Sequence, residues 1–306
     1  MTTAFRSGFA CFVGRPNAGK STLTNALVGS KVAITADQPQ TTRHVIRGIV
    51  HGADGQLVLL DTPGVHRPRT LLGQRLNDLV RSTWAEVDVI GFCTPADEKP
   101  GPGDRFILDE LAKAARATLV AVVTKSDVVT KQRLAEHLLA VSDLAAKAEV
   151  DFAEIVPVSA VRGDNLDVLR QVLTGRLPEG EPLYPDGELT DEPEAVMIAE
   201  LVREAALSGV RDELPHSIAC VVEEIVPRPD RPEDKPLLDV YVTIYVERDS
   251  QKGIVIGHRG ARLREVGTAA RQHITALLGT AVHLHLHVKV AKEWQRDPKQ
   301  LRRLGF

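Results

Sequence analysis

"GFACFVGRPNAGKSTLTNALVG", residues 8–29, runs from a short apolar stretch through a glycine-rich turn into a segment with helical apolar spacing at Leu23, Ala26 and Leu27. That order reads as strand, loop, helix. Within it, "GRPNAGKS" fits G-x-x-x-x-G-K-[ST] in the setting the motif requires, after a strand and at the start of a helix. The glycines allow backbone N–H groups to turn toward phosphate oxygens at the positive end of the helix. Lys20 can then reach the β and γ oxygens, and the Ser21 hydroxyl can ligate Mg2+. An ordinary turn between strand and helix is the plainer alternative, but it demands neither the lysine nor the hydroxyl.

A phosphate loop serves ATPases, kinases and GTPases alike, so the other strand ends must choose among them. "DTPG" follows the apolar run "QLVLL"; there Asp61 can hold Mg2+ through water and the Gly64 N–H can meet the γ-phosphate, with Thr62 and Pro63 between them. "TKSD", comprising Thr124, Lys125, Ser126 and Asp127, closes the run "ATLVAVV". A carboxylate at Asp127 can accept from guanine N1–H and N2–H, a donor pair that adenine does not present at that edge. Ser159 and Ala160 end the run "EIVPVSA" and can offer a backbone N–H to guanine O6. Any one of these short motifs is weak evidence, but their order at strand ends is strong evidence for guanine.

The same runs, with "VDVIGFCT" (87–94) and intervening helical segments at 70–86 and 131–148, alternate β and α and predict a mostly parallel sheet. "IRGIVHG" and "QLVLLD" flank "ADG", a hairpin signal that predicts one antiparallel edge strand. Proline, glycine and acidic residues crowd 176–193, which reads as a linker. The expected organisation is therefore a nucleotide domain at 1–175, a linker at 176–192 and a second domain at 193–306.

Composition is ordinary for a soluble globular protein: 43% hydrophobic and 26% charged residues, with no apolar run near the ~20 residues of a membrane span. The N-terminus lacks the pattern of a signal peptide, and Cys11, Cys93 and Cys220 are widely spaced, so a cytoplasmic chain with reduced cysteines is expected. The net charge of −3 conceals a division, about −10 before Tyr241 and +7 from there to the end. A basic C-terminal part suggests a polyanion partner; a solvated basic face is the plainer alternative.

In that basic part, "IGHRG" places Gly257 and Gly260 around His258 and Arg259. It lacks the lysine and hydroxyl of a phosphate loop. Two predicted strands precede it, a long helix (261–278) follows, and a last strand, "AVHLHLHVKVA", ends the module. That order with G-x-x-G is similar to the type II KH fold, an α+β module whose loop clamps the backbone of single-stranded RNA. Lys252, Arg262, Arg264, Lys289 and Lys292 are expected to extend the surface electrostatically. His283, His285 and His287 fall on one strand face, a metal-like spacing, but no cysteine or carboxylate is expected to complete a ligand set, and a strand facing RNA explains them as well.

Taken together, the first ~175 residues resemble the translation-factor-related P-loop GTPases, and the whole chain resembles the Era-type members of that class (TrmE-Era-EngA-like). The resemblance implies that Gly14, Arg15, Pro16, Asn17, Ala18, Gly19, Lys20, Ser21 and Thr22 wrap GTP or GDP. It also implies a first-switch threonine, taken as Thr42 from the pair Thr41 and Thr42, as a Mg2+ ligand. Lys20, Thr42, Asp61 and Gly64 are the catalytic candidates. Asn17 stands where GTPases of this kind hold a K+ ion, although it serves equally as a turn residue.

Two departures from common GTPase patterns matter. Thr124 replaces the usual Asn of the base motif, keeping a hydroxyl but losing an amide able to bond the phosphate loop, so lower guanine affinity is expected with specificity retained through Asp127. Val65 occupies the place of the water-orienting glutamine of Ras-type proteins, in keeping with slow hydrolysis. The resemblance further implies a monomeric switch that binds the 3′ region of 16S rRNA and assists 30S assembly. GTP would order 35–45 and the loop after Gly64 and so reposition the KH domain. Peripheral association with the inner face of the cell membrane comes with the family, without a lipidation signal or amphipathic basic helix here to support it. The rival readings are an RNA-associated ATPase or kinase, and an RNA-binding scaffold whose nucleotide domain is only structural.

Overall fold

Side chains along β1 (Arg6–Val13) alternate between two buried environments, and this decides the layering of the first unit. Ala10 and Phe12 pack in one core with Leu57, Leu59, Val120 and Val122, while Cys11 and Val13 pack in another with Trp84, Ile90 and Phe92. Both faces of the sheet are therefore covered, which is why its strands read as continuous apolar runs. The structure is a computed structural model; it describes residues 4–306 except 37–40, 66, 67, 69, 115, 211–213, 230, 233 and 234.

Contacts divide the chain into two units. Met1–Thr35, Thr42–Pro68 and Gly73–Asp191 form the first, and Ala36–Thr41, Arg69–Leu72 and Glu192–Phe306 form the second. In the first, β1 is followed by α1 (Lys20–Val28), β2 (Ile46–Gly52), β3 (Gly55–Asp61), α2 (Leu71–Glu86), β4 (Val89–Pro95) and α3 (Pro102–Ala114). The unit continues with β5 (Thr118–Thr124), α4 (Lys131–Lys147), β6 (Ile155–Pro157) and α5 (Leu166–Thr174). Strand order is β2-β3-β1-β4-β5-β6, parallel throughout except for β2, which pairs antiparallel with β3 at the edge. All the predicted nucleotide motifs then fall at the carboxyl ends of parallel strands, where such sheets bind ligands.

Residues 176–191 lie along the first unit. Gln56 donates to the Tyr184 carbonyl (2.8 Å) and accepts from Leu183 N (2.7 Å), and Ile49 N donates to the Leu189 carbonyl (2.9 Å). The proline- and acid-rich stretch supplies backbone partners to β2 and β3. Cys11 and Cys93 are buried in the two different cores, and burial pushes both thiols up, Cys93 to about 12, so neither ionises near neutrality.

The second unit contains α6 (Glu194–Leu207), α7 (Leu214–Ser217), β7 (Ala219–Pro227), β8 (Leu237–Val246), α8 (Asp249–Ile256), α9 (Ala261–Leu278), β9 (Ala281–Val290) and α10 (Pro298–Arg303). Its sheet runs β7-β8-β9, antiparallel then parallel. Val240, Val242 and Ile244 are buried on the face shared with Ile198, Leu201 and Val202 of α6 and Val266, Ala270 and Ile274 of α9. The opposite face carries Asp239 and Tyr241 beside His283, His285, His287 and Lys289. Trp294 is fully buried, donates Nε1–H to the Ser217 carbonyl (3.0 Å) and stacks on Phe306, so it is a packing residue of this unit. Among the described residues, no helix is long and apolar enough to cross a membrane.

Candidate functional site

The phosphate loop is tight because its backbone is pressed against β4: a Cβ on Gly14 would lie 2.5 Å from the Cys93 carbonyl oxygen. Asn17 (φ 62°) and Gly19 (φ 84°) adopt left-handed conformations before α1 begins at Lys20, and the Ala18 N–H between them donates to the Arg15 carbonyl (3.3 Å). Lys20 is buried and folds back over the loop, its ammonium donating to the carbonyls of Gly14 (3.1 Å) and Arg15 (2.8 Å). Burial pulls its pKa below the ordinary lysine value, opposed by Cys93 and by the Asp61 carboxylate. A lysine poised in this way gains a strong partner when phosphate oxygens arrive.

Beside it three oxygen donors converge. Ser21 Oγ donates to Asp61 Oδ2 (2.7 Å), Thr42 Oγ1 donates to the same oxygen (3.1 Å), and the two hydroxyls are 3.0 Å apart. Two hydroxyls and a carboxylate are a hard-oxygen set suited to Mg2+, so the residues fit that ion. Thr41 points elsewhere, its hydroxyl bonding the Ala36 carbonyl at 3.3 Å, so of the pair only Thr42 joins the cluster. The expectation about switching concerned 35–45 and the loop after Gly64; positions 37–40, 66, 67 and 69 of these lie outside the described residues.

At the base end the hydroxyl that Thr124 retains finds a partner in the phosphate loop. The Thr124 hydroxyl itself donates to the Ala18 carbonyl (2.8 Å), so the tie to the phosphate loop that an Asn amide would make is kept in another form. Lys125 follows in a left-handed conformation and starts a short turn, Ser126–Val128, on which Asp127 is half-buried. The Ser159 N–H is already committed to the Asp164 carbonyl (3.1 Å) and its Oγ accepts from Arg162 N (3.1 Å). Ser159 thus shapes the loop that presents Ala160.

Sequence reading missed the support of Arg15. Its Nε donates to Asp104 Oδ1 (2.9 Å) and its Nη1 pairs with Glu98 (3.0 Å), while Asp104, fully buried, also accepts from Gly101 N (2.8 Å). This anchors the phosphate loop to the start of α3. No local pattern signals a partner so far along the chain.

In the second unit, the G-x-x-G turn joins α8 to α9. Gly257 has φ 72°, and a Cβ there would meet Arg262 Cβ at 2.7 Å. Gly260, by contrast, faces open space, with His258 and Arg259 exposed between the two glycines. A groove of about 330 Å3 continues from the turn between α9 and β9, lined by Gly260, Arg264, Gly267, Arg271, Leu284 and Leu286 among others. The helical spacing of 260, 264, 267 and 271 could have revealed this face from sequence.

The predicted basic residues do not all gather at that groove. Arg262 is spent on the last turn of α6, donating to the carbonyls of Ser208 and Ala206. Lys289 lies on the sheet face opposite Val240, Val242 and Ile244, 3.9 Å from Glu223. Strand alternation separates it from Leu284 and Leu286. Lys292 is exposed just past β9, Arg264 is exposed on α9, and Lys252 is half-buried on α8.

Phosphate chemistry at the end of β1 and guanine chemistry at the end of β5, on one mostly parallel sheet, distinguish a P-loop GTPase from other nucleotide-binding α/β folds; this one carries a KH fold as its second unit. Residues 9–125 match the family "50S ribosome-binding GTPase" and residues 213–295 match the KH domain family. The chain is 67% identical to GTPase Era of Streptomyces coelicolor over 304 residues, covering 99% of this chain and 96% of that one. It is also 67% identical to GTPase Era of Mycolicibacterium smegmatis over 305 residues, covering 99% and 100%. It superposes with TM-score 0.92, at 37% identity and over 98% of its length, on a variant of Era from Aquifex aeolicus bound to GDP and AlF4-. An Era complex with MgGDPNP and nucleotides 1506–1542 of 16S ribosomal RNA gives the same TM-score, identity and coverage. The chain belongs to the Era family of GTPases.

Proposed function

We propose that this GTPase is a nucleotide-driven switch that binds the 3′ region of 16S rRNA through residues 193–306 and assists 30S subunit assembly, with residues 1–175 as the GTPase domain and 176–192 joining them. The observation that carries the reading is the convergence of Ser21, Thr42 and Asp61 beside the buried Lys20, in a chain that also carries an open G-x-x-G turn. Backbone N–H groups of the segment Gly14 to Thr22, other than at Pro16, cradle the phosphates, and Lys20 leaves its two carbonyl partners for the β and γ oxygens. Gly64 N–H meets the γ-phosphate, following Asp61, Thr62 and Pro63. Asp127 reads guanine N1–H and N2–H, and Ala160, held by Ser159, offers its N–H to O6. Ser21, Thr42 and, through water, Asp61 would hold Mg2+, which would supply charge neutralisation at the phosphates.

Val65 is apolar and cannot orient water, so backbone groups or a bound partner must do so, and intrinsic hydrolysis is slow. Asn17, exposed and left-handed at the loop tip, is assigned to K+; equal hydrolysis rates in sodium and potassium buffers would refute that assignment. On the RNA side, His258, Arg259 and the backbone of Gly257 and Gly260 hold the sugar-phosphate chain, with Arg264, Lys252 and Lys292 adding attraction. The protein acts as a monomer in the cytoplasm; contact with the inner membrane face rests on the family resemblance alone. Equilibrium competition between GTP and ATP tests the nucleotide reading, and tighter ATP binding would overturn it. Binding of a 16S 3′-end fragment in the presence of GDP or a GTP analogue tests the switch, and equal affinity in both states would count against it.

A further inference from the structure

We propose that Asp239, His283 and His285 form a binding site for a divalent transition-metal ion of the zinc, nickel or copper(II) class on the open face of the β7-β8-β9 sheet. His283 and His285 are two apart on β9 and share a face, and the parallel register sets Asp239 of β8 directly opposite His283. The carboxylate that the strand segment itself lacks is thus supplied from next door. One ligand atom from each of the three residues lies within 4.8 Å of the others. Zinc bonds to nitrogen and oxygen of about 2.0–2.1 Å place two donors of one ion roughly 3.4–4.2 Å apart, so small side-chain rotations close the set.

The surroundings favour such a site. The Tyr241 ring stacks on the His285 imidazole (centroids 4.3 Å apart, 5° between planes) and fixes its orientation, and His283 meets the same ring edge-on at 4.4 Å. His285 Nε2 already lies 3.1 Å from Asp239 Oδ1, a polar contact that a metal ion can replace with two bonds. Two imidazoles and one carboxylate select a borderline cation over Mg2+ or Ca2+. Arg228 competes: its Nε donates to Asp239 Oδ2 (2.9 Å) and its Nη2 to Oδ1 (2.5 Å), so it shares the carboxylate that the ion would use. His283 also lines the groove beside α9. Metal occupancy is therefore expected to change RNA affinity, a consequence that rests on the proposed RNA reading, whereas the site itself does not.

Isothermal titration of the full chain with Zn2+, after chelator treatment and with excess MgCl2 and GDP filling the nucleotide site, tests the assignment without RNA. The expected result is micromolar binding of zinc that weakens about tenfold or more in His283→Ala and in His285→Gln, two surface changes. Arg228→Gln should tighten it, because a competing cation is removed. Zinc-dependent shifts of the His283 and His285 ring resonances provide a second readout on the unsubstituted protein. Binding weaker than about 1 mM, or binding that neither histidine change affects, would overturn the proposal.

Discussion

Thr124 shows how a departure from a motif is absorbed by geometry. Its hydroxyl reaches the Ala18 carbonyl at 2.8 Å, so the phosphate loop and the base-reading strand stay tied although the side chain has no amide. Thr124→Val keeps the shape and removes the bond, leaving a buried carbonyl without that donor. GDP affinity should fall about tenfold, equivalent to ~1.4 kcal/mol, in a fluorescent-nucleotide titration. Thr124→Asn should restore it, since an amide can donate to the same carbonyl. The motif residues at this scale were legible because each motif is contiguous and its chemistry lies in the residue types. The Asp104 carboxylate that holds Arg15 was not, since the pairing spans 89 positions and is created by the approach of α3 to the loop.

At the scale of elements, α4 carries a titratable group against the sheet. His137 is buried with Nε2 3.3 Å from the Thr94 hydroxyl, and burial pulls its pKa below the ordinary 6.5, against the opposing pull of Asp104 and Asp97. With the folded value lower than the unfolded one, the unfolded chain binds more protons just below pH 6.5, so stability falls as pH drops into that window. Denaturant midpoints measured from neutral pH down to about pH 5.5 should show this slope, and His137→Gln should flatten it.

The turn between α8 and α9 makes a second case. Gly257→Asp places a Cβ against Arg262 at a left-handed φ and adds negative charge where phosphate is expected. RNA affinity should drop by about tenfold or more in a filter-binding or anisotropy assay, with GTP affinity unchanged. Unchanged RNA affinity would refute the assignment of the loop. Helices and strands here were legible from period and glycine placement. The attachment of 176–191 to β2 and β3 was not, because its backbone partners follow no sequence period.

Across the whole molecule the two glycine loops serve chemically different ligands, and their substitutions should separate. Lys20→Ala is expected to abolish measurable GTP hydrolysis while leaving nucleotide-free RNA binding intact, the converse of Gly257→Asp; loss of both activities in either variant would contradict that separation. The α/β unit with one antiparallel edge strand, the α+β unit after it and the guanine motifs were all determined by the sequence itself. Each depends on local period or on contiguous residues whose backbone makes the site. Only the tertiary structure decided how Thr42, the threonine the family resemblance points to, meets Ser21 and Asp61, that Arg262 serves α6, and that Asp239 stands opposite His283. Those contacts join residues far apart in the chain, and strand register and helix docking, set by burial of the whole core, determine which side chains meet.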